Sequence, residues 1–126
     1  MERDLQIRQS FVVSLPPKEA YDVWRRVKNY PKFMKHIGSV EEVDAKRSRW
    51  VIDGPAGRGM TWETEIVEED PGRVVAWRTV GRSDVRHGGR VELYEATAGR
   101  GTVVCVSMTY ETKARRGHSA LERVFR

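Results

Sequence analysis

Three histidines, His36, His87 and His118, are the side chains of this 126-residue chain best suited to move a proton near neutral pH. No two of them stand at the i, i+4 spacing that puts paired metal ligands on one helical face. No carboxylate joins them in a ligand pattern either, so neither a metal nor any other cofactor is expected. His87 falls near the start of a stretch with strand character. It is either an ordinary strand residue or the polar group of a pocket, able to orient a ligand or act as a general base. Tyr94 and Tyr110 are the other candidate acid–base groups. The serines lack the Gly-x-Ser-x-Gly elbow, and the glycine-rich stretch 54–59 lacks the Gly-Lys-Ser/Thr of a phosphate loop. The single cysteine, Cys105, excludes an internal disulfide and lies among valines, where a thiol packs as a small apolar residue.

The aromatic residues carry a stronger signal. Trp50, Trp62 and Trp77 fall on three successive strand-like segments, each in phase with its apolar neighbours, and Met108 and Tyr110 share the inward phase of the last such segment. These positions make either a hydrophobic core or the wall of an aromatic pocket for a flat or lipidic ligand. Trp24 reads as packing. Glu63 and Glu65 alternate with Trp62, so they are expected to face solvent and to pair with Arg78 across a hairpin.

The elements that position these residues follow from periodicity. Leu5, Ile7, Phe11, Val13 and Leu15 alternate as a half-buried strand over 5–15, which Pro16-Pro17 stops. Ala20, Val23, Trp24 and Val27 then repeat at helical spacing. Pro31 fits the first turn of a second short helix carrying Phe33, Met34 and Ile37. After Gly38 the pattern becomes six strands, near 39–46, 48–53, 60–68, 75–79, 86–97 and 102–112, joined by turns such as Asp70-Pro71-Gly72. Ser119 can cap a last helix with Leu121, Val124 and Phe125 on one face. The order is β-α-α-β6-α, an α+β domain built on a curved antiparallel meander of about seven strands.

That order, with "SLPPKEAYDVWRRVKNYPKFMKHIGSVEEV" (14–43), "RWVIDGPAGRGMTWETEI" (49–66), "DPGRVVAWRT" (70–79) and "GGRVELYEATAGRGTVVCVSMTY" (88–110), resembles the START-like superfamily, also called SRPBCC or polyketide cyclase/dehydrase, including its coenzyme-Q-binding members. The resemblance covers nearly the whole chain and implies one helix-grip domain over 1–126. It also implies a cavity between the sheet and a C-terminal helix. Here the pattern leaves only 119–126 for that helix, about two turns. A shortened helix would leave apolar sheet for a partner to cover, a second copy of the chain among them. Aromatase/cyclases of this fold line their pocket with Arg, Tyr and Trp. Trp77 and Tyr110 match in phase, whereas Arg78 falls at the outward phase.

Lys and Arg number 23 against 18 Asp and Glu, a net charge of +5 scattered along the chain rather than gathered on a stripe, which argues against nucleic-acid binding. No apolar run approaches the length of a membrane span, and the charged N-terminus is no signal peptide, so a cytoplasmic protein is expected. Three readings remain. The first is a carrier of a small hydrophobic ligand (a lipid, isoprenoid or polyketide-like molecule), held by Trp50, Trp62, Trp77, Met108 and Tyr110. In it His87 and Tyr30 fix orientation, and Phe33 and Met34 form a wall. The second is a cyclase-type enzyme using His87 or Tyr110, and the third is a protein-interaction module.

Overall fold

The computed structural model describes residues 3–52, 59–81, 83 and 85–112. Seven antiparallel strands form one sheet in the order β1-β7-β6-β5-β4-β3-β2. They are β1 Arg3–Val13, β2 Ile37–Glu42, β3 Arg47–Ile52, β4 Met60–Asp70, β5 Val74–Val80, β6 Val85–Glu95 and β7 Thr102–Thr112. From β2 to β7 each strand pairs with the next through a short connection. β1 closes the other edge by pairing with β7, Leu5 opposite Tyr110 and Phe11 opposite Val104. The curled, START-like helix-grip sheet expected from the sequence is the sheet observed. The expected C-terminal helix (119–126) and the loop 53–58 lie outside the described residues.

One helix, α1 (Pro17–Arg25), follows β1. Pro16 is extended and Pro17 takes the first helical position, where its missing N–H costs nothing. Ala20, Tyr21 and Trp24 are buried against the sheet. The helix ends at Arg26, and two side chains from the following turn satisfy its last carbonyls: Asn29 Nδ2 donates to the Val23 oxygen at 3.0 Å and the Tyr30 hydroxyl to the Trp24 oxygen at 2.7 Å.

The second helix differs from the sequence expectation. It is a 3-10 helix at Val27–Lys32, with Pro31 inside it and Phe33 and Met34 just beyond. Ile37 already belongs to β2. The tighter winding turns Tyr30 inward, fully buried, and leaves Phe33 43% exposed. Phe33 therefore does not line the concave face; its ring stacks on Trp24, centroids 4.6 Å apart.

Alternation puts most apolar side chains of the strands on the concave face, with Val12, Val67 and Tyr94 left exposed. The outward face carries ion pairs between neighbouring strands. Glu63 and Glu65 do face outward, but they pair with Arg49 (3.4 Å) and Arg47 (3.7 Å) on β3. Arg78 lies opposite Glu65 in the ladder, so the expected partner was on the correct row and the wrong neighbouring strand. Such half-exposed pairs contribute at most about 1 kcal/mol each.

The β6–β7 connection is a 3-10 turn, Thr97–Gly99, ending at Gly101, which has φ +111° and lies against the Val13 carbonyl. A Cβ there meets that oxygen and forces a left-handed conformation on an L residue. Gly101→Ala is expected to lower unfolding free energy by more than about 1 kcal/mol in a urea titration.

Candidate functional site

The concave face gathers the aromatic residues that sequence phase singled out. Trp50 and Trp62 are direct ladder partners on β3 and β4. Trp77 on β5 lies opposite Gly89 on β6, and His87 on β6 lies opposite Tyr110 on β7. Trp50, Trp62, Trp77, His87, Met108 and Tyr110 are all buried. Tyr30 enters from the 3-10 helix and sits edge-on to Trp50 and Trp77, at 5.8 and 5.2 Å. Met34 is buried beside them in the same core.

His87 is the hub. Its ring stacks on Tyr110 at 4.5 Å and meets Trp50 at 5.0 Å and Trp62 at 5.4 Å. Trp77 Nε1 donates to His87 Nε2 at 2.9 Å, and because an indole N–H only donates, Nε2 must carry a lone pair. The proton is therefore on Nδ1, which donates to the Thr109 carbonyl at 3.1 Å. Burial among uncharged rings pushes the imidazole down to about 3, so it is neutral near pH 7. Both nitrogens are engaged in holding the aromatic cluster together.

A second histidine joins the site without having been singled out. His36, in the turn before β2, places Nε2 3.0 Å from the Tyr110 hydroxyl, and burial lowers it to about 4. The Tyr110 hydroxyl is also 3.5 Å from Met108 Sδ, and burial raises its phenol well above the ordinary value. His36 lies in a connection with no strand or helical phase. Only its place seven residues after a helix-end asparagine, in chain that must return to the sheet, hinted at an inward direction.

The three tryptophans on the sheet differ in one respect. Trp50 Nε1 donates to Thr64 Oγ1 at 2.8 Å and Trp77 Nε1 to His87, but Trp62 Nε1 is buried with no hydrogen-bond partner among the described residues. Of the other candidates, Tyr94 stands 53% exposed on the outward face, away from this cluster. Among the described residues no group of three or more His, Cys, Asp or Glu side chains could hold a metal ion. No helix among them is long and apolar enough to cross a membrane.

A hollow of about 870 Å³ reaches this cluster: it is lined by Arg78, Arg86 and Glu111 at the outward phase of their strands and by Leu5, Thr79 and His87 at the inward phase. Charged outward side chains thus meet the hub histidine there, whereas the rest of the concave face is filled by the described rings.

A filled aromatic concavity under a short helix on a curled seven-stranded sheet defines a helix-grip fold. A family model described as polyketide cyclase/dehydrase and lipid transport matches residues 13–126, and the chain belongs to that family. A structure from Deinococcus radiodurans, solved by a structural genomics consortium, is 33% identical, with a TM-score of 0.76 over 96% of this chain and 92% of that one. The Zhui aromatase/cyclase of Streptomyces sp. R1128 shares the fold at 19% identity, TM-score 0.68, over 98% of this chain and 87% of its own. An uncharacterized 17.2 kDa protein of Streptomyces lincolnensis is 30% identical over 76 residues, 60% of this chain. The match spans half the length of that curated relative.

Proposed function

We propose that the protein binds a small hydrophobic ligand on the concave face of its sheet, between Trp50, Trp62, Trp77, Met108 and Tyr110. The observation that carries this reading is the continuous set of buried rings, all uncharged near neutral pH, at the place where the family's fold forms a pocket. Apolar area gives the driving force at roughly 25 cal/mol per Å² before the costs of association. Lipid and polyketide chemistry enter through the family description alone. A cyclase-type reaction has less support, because it requires a free acid or base. The His87 lone pair is taken by Trp77, and Tyr94 points outward.

Native mass spectrometry of protein purified without detergent tests the reading. A co-purifying mass of a few hundred daltons, released on denaturation, is the expected result. In titrations with that ligand, Trp77→Ala should weaken binding at least about tenfold, as truncation of a central aromatic contact does. Trp24→Ala, whose ring packs between Phe11, Tyr30 and Phe33, should change affinity less. Equal losses in the two variants, with both still folded by circular dichroism, would count against the assigned site.

A further inference from the structure

We propose that the turn after α1 docks the protein on the anionic surface of a lipid bilayer, with Lys28, Lys32 and Lys35 among the phosphates and the Phe33 ring dipping beneath them. This role goes beyond ligand binding on the concave face and does not depend on it.

Positive charge is scattered over the chain as a whole, but the stretch from Val23 to Val40 holds Arg25, Arg26, Lys28, Lys32 and Lys35 and no Asp or Glu. Asp22 and Glu41 stand at its two ends. Both arginines are engaged: Arg25 pairs with Glu69 at 2.7 Å and Arg26 with Glu42 at 3.7 Å. The three lysines are exposed. No ion pair among the described residues includes them. Phe33 stands between Lys32 and Lys35 and is 43% exposed. One face of its ring lies on Trp24, centroids 4.6 Å apart, and Trp24 packs in turn on Phe11 and Tyr30. The core therefore holds the exposed ring in place, so inserting it orders little that is not ordered already.

The local winding produces this arrangement. At three residues per turn, Val27 and Tyr30 share the buried side of the 3-10 helix, and Lys28 and Lys32 fall outside it. Met34 turns back into the core, which leaves Phe33 and Lys35 to solvent. A basic patch alone would suit any polyanion, and the phenyl ring among the lysines narrows the partner. A bilayer offers an apolar layer just below its phosphates, and ammonium point charges need no particular phosphate geometry to meet it. A nucleic acid is held by guanidinium forks along a longer basic track. Both guanidinium groups of this stretch are instead turned to Glu69 and Glu42.

The test sediments the protein with vesicles of phosphatidylcholine alone and of phosphatidylcholine mixed about two to one with phosphatidylglycerol. Wild-type protein should partition onto the anionic vesicles at least about tenfold more strongly, since each basic residue at such a surface contributes about fivefold. Lys32→Glu/Lys35→Glu should lose at least about tenfold. Lys18→Glu/Arg100→Glu, the same charge change at exposed positions outside the stretch, should lose less than about threefold. The four native tryptophans are buried, so Phe33→Trp adds the one exposed indole. Bromine-labelled lipid in the anionic vesicles should quench that added emission and leave the wild-type spectrum unchanged. Equal partition onto the two vesicle types, or binding to neither, overturns the proposal and leaves the hydrophobic-ligand reading standing. Equal losses in the two charge variants overturn the assignment to this turn, and unquenched emission from Phe33→Trp overturns the insertion of the ring. Tighter binding to duplex DNA than to anionic vesicles, lost in Lys32→Glu/Lys35→Glu, overturns the proposal in favour of a nucleic-acid surface. If Phe33→Trp does not fold, the vesicle preference and the two charge variants still decide.

Discussion

Gly89→Ala is expected to lower the unfolding free energy by about 3 kcal/mol or more, in the range of the larger core lesions. Gly89 faces the concave side opposite Trp77, and the Trp77 indole lies over its bare backbone. A Cβ built there overlaps the six-membered ring, with even Cη2 only 2.7 Å away. The ring has nowhere to go. Tyr30 and Trp50 pack against it at 5.2 and 5.8 Å, and its Nε1 is tied to His87. Moving it would break that bond and leave two buried polar atoms without partners. The adjacent residue is a built-in control. Gly88 faces the opposite side, and a Cβ there finds its nearest neighbour, the Trp77 carbonyl oxygen, at 3.4 Å. Gly88→Ala should therefore shift stability by less than about 1 kcal/mol in the same urea titrations. Similar losses at the two glycines would contradict the assigned faces.

Acid should destabilise the fold before its carboxylates begin to titrate. Burial holds His87 at about 3 and His36 at about 4, both below the ordinary 6.5. Below pH 6.5 the unfolded chain takes up protons that the folded chain refuses. Stability is therefore full above that pH and declines as pH falls toward the folded values. By pH 5 the His87 contribution alone amounts to about 2 kcal/mol. His36, partly exposed, adds a smaller loss in the same direction. Unfolding free energies measured between pH 7 and 5 should trace that slope. His87→Phe should start from a lower stability, because Trp77 and Thr109 lose their partner, yet show a flatter profile. A wild-type profile that is flat from pH 7 to 5 would mean that the folded protein accepts the proton.

The inward tryptophans were legible because each strand imposes a period of two, and Trp50, Trp62 and Trp77 are each in phase with apolar neighbours. Phase, however, says which face a side chain takes and nothing about what it meets there. Gly89 carries no hydrophobic signal, so the slot that admits the Trp77 ring was invisible until the register set one against the other. His36 lies outside any periodic element, and its approach to Tyr110 joins residues 74 positions apart. The second helix was misplaced for a related reason. Pro31 suits a helix start in sequence, but here it lies inside a 3-10 helix, and the side-chain bonds from Asn29 and Tyr30 back to α1 hold the turn earlier in the chain. Val67 shows the same limit on β4. A register shift between Ile66 and Glu68 turns it out to solvent despite its type.

The pairing of the first strand with the last bears on how the polypeptide is made. Strands β2 to β7 can zip up in sequence as they leave the ribosome, each hairpin closing on its predecessor. β1 is synthesised first and has its ladder partner 95 residues downstream, as at Ser10 and Cys105. Throughout synthesis of the intervening chain it carries unpaired backbone groups and the apolar side chains of Leu5, Ile7, Phe11 and Val13. A nascent chain stalled before Thr102 would thus present a ready strand to any open sheet edge, and arrest at that point is where this protein is most exposed to mispairing or chaperone capture.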